Sequence, residues 1–500
     1  MNKILTLLCS IMLFCLLDSC KLPFDDVDLN VKLTPEYAVP LIETTMNFRD
    51  LFDGFGGNSF LQVQADGTYK MFYQSQVVET PLLNLFANMP DVQTIPIVQP
   101  DMVIPFPAPA TMRIDAIDFK KGFFKWRFDA QTTPLTVRIT VPQFTKNGQS
   151  FSKTFTLANV SVRDSIDLNG WRSEPTMGNI VMSYQASKAN GEFVSLDNQG
   201  TYELTRFEAK TMKGYFGQFL LNLPKDSLSF DFFKNWKPNG KITFSEPKIT
   251  FTFENNFGFP IQIQTLTAES NNLVEQKIAL QSPLTAGFNI AYPLLTQIGI
   301  SKKTAISIDN KNSNLADIIA SYPTQLSQSF VGKTNVNNPT KEAGFLNDDS
   351  RLKTSLTMEI PLIGTAEKFT VYDTLVLDLS KFSEVSAAEF KITTDNEMPI
   401  DMSLQGYFIN SSGGIIDSMV VKEPLILRGA PTTTAGTTIG NSLAYNFIKI
   451  DAAKFTRIRS AKKIILKYSI SSSNNGANPV KFNGSQKFGV KLGVRVGVTL

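Results

Sequence analysis

The stretch from Phe488 to Leu500 constrains the fold more than any other: every even position is apolar, and every odd position is Gly, Lys, Arg or Thr. A period of two puts successive side chains on opposite sides of an extended backbone, so this segment reads as a half-buried β-strand. Phe124-Lys125-Trp126-Arg127-Phe128, Ile249-Thr250-Phe251-Thr252-Phe253 and Leu375-Val376-Leu377-Asp378-Leu379 alternate in the same way. β-Branched and aromatic residues are enriched from Ile114 onward, as strands require. Helical spacing is confined to short pieces around Leu82 to Phe86, Pro293 to Ile298 and Asn314 to Tyr322. A membrane barrel also alternates but needs many comparable segments of roughly ten residues, so a closing strand of a water-facing sandwich is the expectation.

An internal repeat organises these strands. Asp226-Ser227-Leu228-Ser229-Phe230-Asp231-Phe232 and Asp373-Thr374-Leu375-Val376-Leu377-Asp378-Leu379 share one pattern of Asp, hydroxyl residue, Leu and alternating apolar positions. Each is followed by an alternating strand, an Asn-containing turn and a Pro-led strand, Pro260-Ile261-Gln262-Ile263 and Pro399-Ile400-Asp401-Met402. Asn tolerates left-handed turn geometry and Pro opens a return strand at an edge, so each copy reads as a hairpin. Asp378 to Val385 is echoed at Asp451 to Ile458. The copies are irregularly spaced, which argues against a solenoid and for an all-β chain of tandem immunoglobulin-like β-sandwich modules with a few short helices. The expected segments are an N-terminal β-rich region over 45–225, a middle sandwich over 226–345 and a C-terminal sandwich region over 346–500. Within the first, Pro81 to Pro109 holds seven prolines, which exclude a central strand and predict a long irregular connector.

The N-terminus is of another kind. Lys3 precedes an apolar run from Ile4 to Leu17, closed by Leu17-Asp18-Ser19-Cys20. The run is about 14 residues, short of the roughly 20 needed to cross a bilayer, and reads as a secretory signal over 1–19. Leu17-Asp18-Ser19-Cys20 resembles the lipobox of bacterial lipoproteins, although Asp18 departs from the small or apolar residue usual there. The resemblance implies removal of residues 1–19 and acylation of Cys20, and several acyl chains on one residue suffice for stable anchoring. The tether that follows over 20–44 carries Asp25, Asp26 and Asp28. It resembles the acidic export signal of surface lipoproteins of Bacteroidota-type bacteria, and Pro35 to Leu51 resembles the start of a recurring class of outer-membrane lipoproteins from the same bacteria. That likeness implies a location, the outer membrane, with either face open, and names no activity.

Composition narrows the chemistry. Cys9 and Cys15 fall in the leader, so the mature chain keeps one cysteine and can form no internal disulfide. Histidine is absent from all 500 positions, which removes the commonest general base and metal ligand and the triads built on imidazole. No cofactor is expected, and a metal ion is not expected either: Asp26, Asp28 and Asn30 have the opening spacing of a calcium loop, but Val31 stands where its glycine belongs. No dinucleotide, phosphate-loop or Gly-x-Ser-x-Gly motif is present. Ser150-Phe151-Ser152-Lys153 and Ser460-Ala461-Lys462-Lys463 fit Ser-x-x-Lys without its companion Lys-Thr-Gly. The Asn347-Asp348-Asp349 and Asp395-Asn396-Glu397 clusters read as turns.

Formal charge is +3, but from Lys449 to Leu500 eleven Lys or Arg stand against Asp451 alone. For an exported chain such a patch faces solvent, lipid head groups, acidic glycans or an acidic protein, and nucleic acid is not an expected partner. Of the three tryptophans, Trp171 and Trp236 lie in polar turns and are the candidate ligand-binding residues, since sugars stack on exposed aromatic rings. The expected function is therefore a non-catalytic, lipid-anchored envelope protein that contacts the membrane through Cys20 and binds a glycan or a partner protein. A carboxylate-based glycoside hydrolase, which needs no histidine, and an envelope lipid carrier are the alternatives.

Overall fold

The computed structural model describes residues 36–47, 59–81, 92–106, 108–205, 207–230, 233, 239–336, 338–376, 385–420, 424–473 and 475–498. The leader, Cys20, most of the tether and Trp236 lie outside the described residues. The fold is all-β, with short helices only, and among the described residues no helix is long and apolar enough to cross a membrane.

The first sandwich packs a four-stranded sheet (162–167, 123–128, 200–205, 92–96) on an eight-stranded one whose order runs 344–347, 208–215, 113–121, 172–173, 135–146, 179–187, 101–105, with 149–157 on 135–146. Its interior is aromatic because both inner faces place rings at alternate positions. Phe124 meets Phe144 at 5.8 Å and Phe151 at 5.7 Å, and Phe128 meets Tyr184 at 5.8 Å, all edge-on. Such pairs add roughly 0.5–1.5 kcal/mol each beyond their buried area. The second half of the proline-rich connector is more regular than the composition predicts. It forms two edge strands, Val92–Pro96 and Asp101–Pro105, one in each sheet, and each stops at a proline that could not donate to a further partner.

The rest of the chain is a duplication. Its elements are β1 (Glu36–Asn47), β2 (Tyr69–Gln74), β3 (Asp226–Ser229), β4 (Lys248–Asn255), β5 (Ile261–Asn272), β6 (Lys302–Asp309), α1 (Leu315–Ala320), β7 (Pro323–Thr334), β8 (Arg351–Pro361), β9 (Ile363–Val376), β10 (Val385–Asn396), β11 (Ile400–Ile409), β12 (Ser442–Ile450), α2 (Ala452–Ile458), β13 (Lys463–Ser472) and β14 (Lys487–Val498). In the first copy β4 lies between β6 and β8, and β7 lies between β3 and β5. In the second β10 lies between β12 and β14, and β13 lies between β9 and β11. The helix precedes the central strand of one sheet in both, and each copy is completed by a strand from the N-terminal part of the chain: β2 pairs with β8, and β1 with β14.

The turn that the sequence repeat marks is the same object twice. Asn255 and Asn396, both fully buried, end β4 and β10. Asn255 accepts the Phe257 N–H at 3.0 Å and donates to the Ala291 carbonyl at 3.0 Å. Asn396 accepts the Met398 N–H at 2.9 Å and donates to the Ile400 and Arg428 carbonyls at 3.1 and 2.9 Å. Beyond each turn the proline carbonyl is bonded by the strand opposite, Asn335 N–H to Pro260 at 2.9 Å and Ser473 N–H to Pro399 at 3.0 Å.

Two features differ from expectation. Sheets are not strung along the chain segment by segment: the sheet containing β4 joins strands from 59–81, 248–309 and 351–361, and Gly344–Asn347 belongs to the first sandwich. Gly258 and Gly344 permit that crossing, because a Cβ on the first would sit 2.1 Å from the Phe345 ring and one on the second 2.3 Å from the Gly258 carbonyl. The echo at Asp451 is a helix: Asp451 caps α2 by accepting the Lys454 N–H at 2.8 Å, and Phe455 and Ile458 enter the core. That core, built on Phe390, Phe408, Ile448, Ile464, Leu466 and Val494, belongs to the second copy alone.

Candidate ligand-binding face

β14 shows the expected alternation, with Phe488, Val490 and Val494 buried while Lys491 and Arg495 are exposed. Its outward residues belong to a four-stranded sheet ordered β1, β14, β10, β12. Registers align them in four rows: Leu443, Asp395, Gly489 and Thr45; Tyr445, Thr393, Lys491 and Glu43; Phe447, Lys391, Gly493 and Pro40; Lys449, Glu389, Arg495 and Ala38. None of the sixteen is buried.

The apolar members stand together on β12, where Leu443, Tyr445 and Phe447 are 59%, 61% and 55% exposed. Residues two apart on a strand are roughly 6.6 Å apart, so the two rings form one continuous ledge. The Lys391 ammonium bridges them, 5.5 Å from the Tyr445 ring centre and 6.0 Å from that of Phe447. Beyond it, β14 presents Gly489 and Gly493 on either side of Lys491, so two of its four outward positions carry no side chain. Arg495 and Lys449 both reach Glu389, at 3.1 and 3.4 Å, and Lys491 reaches Glu43 at 2.5 Å. The Glu43 carboxylate holds the Lys491 ammonium above its ordinary range. The face thus joins a stacking surface to fixed donors and acceptors.

The duplication supplies an internal control. Superposing Asn255 on Asn396 by register sets Lys303 at Leu443, Ala305 at Tyr445 and Ser307 at Phe447, and sets Lys353 and Thr357 at Gly489 and Gly493. The same sheet face is polar in the first copy and carries side chains where the second has glycines, so the fold does not require an exposed aromatic ledge beside outward glycines. Sequence reasoning passed over β12 because Leu443, Tyr445 and Phe447 alternate with Ala444, Ile448 and Ile450, and a strand apolar on both faces reads as buried. Aligning the repeat at its two Asn turns is the signal that exposes it.

Of the sequence-predicted residues, Trp171 is half-buried: its ring packs edge-on against Phe151 at 5.9 Å, with the Lys146 ammonium 5.9 Å away. It is a packing residue of the first sandwich, remote in sequence and sheet from the ledge. Trp236 and Cys20 lie outside the described residues. Asn347-Asp348-Asp349 is a turn in which Ser350 N–H bonds the Asn347 carbonyl at 3.0 Å, and Asp348 holds Lys120 at 2.6 Å. Among the described residues no group of three His, Cys, Asp or Glu could hold a metal ion.

No protein-family model matches the chain, and no curated protein matches it. Solved structures give distant likenesses. A protein described as secreted, from Parabacteroides distasonis, is 15% identical over 57% of this chain and 88% of its own, with a TM-score of 0.33. A structure of infectious bursal disease virus, Gx strain, is 10% identical over 79% of this chain and 75% of its own, at 0.17. A triple jelly roll of an archaeal virus is 11% identical over 95% and 99%, at 0.11. Likenesses this remote carry no argument, and the all-β assignment rests on the strands themselves.

Proposed function

We propose that this chain is a non-catalytic envelope protein, held outside the cytoplasm at the outer membrane by acylated Cys20, that binds a glycan on the outer face of its terminal sheet. The exposed Leu443-Tyr445-Phe447 ledge beside the outward glycines Gly489 and Gly493 carries the reading, because the duplicate face has neither. Sugar rings offer apolar C–H faces that stack on aromatic rings and hydroxyls that bond ammonium, carboxylate and hydroxyl groups at their edges. Tyr445 and Phe447 supply the first, and Lys391, Thr393, Lys491 and Asp395 the second. The leader and the Leu17-Asp18-Ser19-Cys20 motif support the location.

The test is affinity electrophoresis and calorimetry against a panel of bacterial and plant polysaccharides. Loss of one stacked ring costs roughly 1–1.5 kcal/mol, about tenfold in affinity, so Tyr445→Ala with Phe447→Ala should weaken binding about 100-fold with folding intact. Equal binding by parent and double variant, or no glycan bound by the parent, overturns the proposal. Release of shortened sugars from any bound glycan would make the protein a hydrolase instead.

A further inference from the structure

We infer that the pole of the second copy where the tether enters rests on anionic lipid head groups, with the ledge held upright beside the bilayer. The inference depends on the proposed acylation of Cys20. Described structure begins at Glu36, opposite Gly497, with Ala38 opposite Arg495. At the same end β12 finishes at Ile450, α2 follows, and β13 starts at Lys463, which is opposite both Val376 and Ile409.

The chain is strongly basic at this pole. Lys449, Arg457, Arg459, Lys462, Lys463 and Arg495 gather there, against Glu36, Glu389, Asp417 and Asp451 among the described residues. Glu389 is shared by Lys449 and Arg495, Asp417 takes Arg457 at 2.8 Å, and Asp451 is engaged as the helix cap. Lys462 and Lys463 are exposed, Arg459 lies over the Phe455 ring at 5.5 Å, and Ile415 is 67% exposed on the adjoining hairpin. Fifteen residues, Lys21 to Pro35, separate Cys20 from Glu36, which spans at most about 50 Å and brings this pole nearest the anchor. Several basic residues near an anionic surface each contribute about fivefold to the docked population, and this pole offers a cluster of them within reach.

The mature lipidated chain also supplies the means of testing it. With Cys20 acylated and residues 1–19 removed, Ser460→Cys would carry the only free thiol and can be labelled with a fluorophore. Energy transfer to an acceptor lipid is then read with the protein anchored in vesicles of phosphatidylglycerol and phosphatidylcholine, or of phosphatidylcholine alone. Strong transfer only on the anionic vesicles, lost at high salt and reduced about 100-fold in docked-to-free ratio by Lys449→Gln, Lys462→Gln and Lys463→Gln together, is the expected result. Equal transfer on both vesicles, or no change on neutralising the three lysines, overturns the inference. Transfer that rises only after Asp25→Asn, Asp26→Asn and Asp28→Asn would show the acidic tether covering the pole, which also overturns it. Failure of the anchor is read separately: the parent chain's Cys20 would then react with maleimide.

Discussion

Replacing Asn396 by Ala tests whether the duplicated turn holds the second copy together. Asn396 is fully buried and makes three hydrogen bonds, one accepted from the Met398 N–H and two donated to the Ile400 and Arg428 carbonyls. Met398 and Ile400 are buried as well, so water cannot replace the missing partner at either. A net bond is worth about 1 kcal/mol, and stranding a buried N–H costs about 1–3 kcal/mol, so the substitution should destabilise by about 3–5 kcal/mol. Asn255→Ala breaks two such bonds in the first copy and should cost about 1 kcal/mol less. Urea unfolding followed by tryptophan fluorescence and far-ultraviolet circular dichroism measures both, and a shift in midpoint at constant slope gives the difference. A loss below about 1 kcal/mol for Asn396→Ala, or a larger loss at Asn255, would refute the reasoning that these side chains organise the two copies.

Lys454 is almost wholly buried in α2 and donates to the Met419 carbonyl at 2.9 Å; burial pushes its ammonium below the ordinary lysine range. The unfolded chain then holds that proton more tightly, so stability should climb as pH rises from the folded value toward 10.5 and be flat below; Lys454→Met should abolish the climb in pH-dependent melts. Tyr202 is buried with no hydroxyl partner among the described residues, and burial raises its phenol well above the usual range. Tyr202→Phe should therefore leave stability unchanged or raise it by up to about 1 kcal/mol in calorimetric melts, and a loss above about 1 kcal/mol would show a hidden partner. Trp171→Ala should cost about 2 kcal/mol in the same melts by removing ring packing on Phe151, yet leave glycan affinity untouched; weakened binding would return this residue to the site.

Much of the architecture was legible because it is local. Period-two alternation marks β14, and the Asn-to-Pro turns at Asn255 to Pro260 and Asn396 to Pro399 mark equivalent corners of two copies. The interleaving of the sheets was not legible, since alternation says which way a side chain points and nothing about which distant strand lies alongside. The pairing of β8 with β2 and β4 rests on register alone, and the entry of Gly344–Asn347 into the first sandwich rests on Gly258 and Gly344, whose close approach to backbone and ring has no sequence period. α2 was overlooked although its signals were present, a capping Asp451 with Phe455 and Ile458 on one helical face. The ledge on β12 stayed hidden because its outward apolar residues look like a second buried face, and only comparison with Lys303, Ala305 and Ser307 separates the two.

The first described strand, β1, pairs with β14 from Glu36 opposite Gly497 to Asn47 opposite Lys487, with one register shift between Pro40 and Ile42. During synthesis the first of these strands emerges long before the last. Until the C-terminal strand arrives, β1 lacks its partner and β10 is open on the side away from β12. Assembly of the second copy is therefore a closing step that awaits the last strand, and a chain truncated before Lys487 would display an open sheet edge, the form most exposed to aggregation.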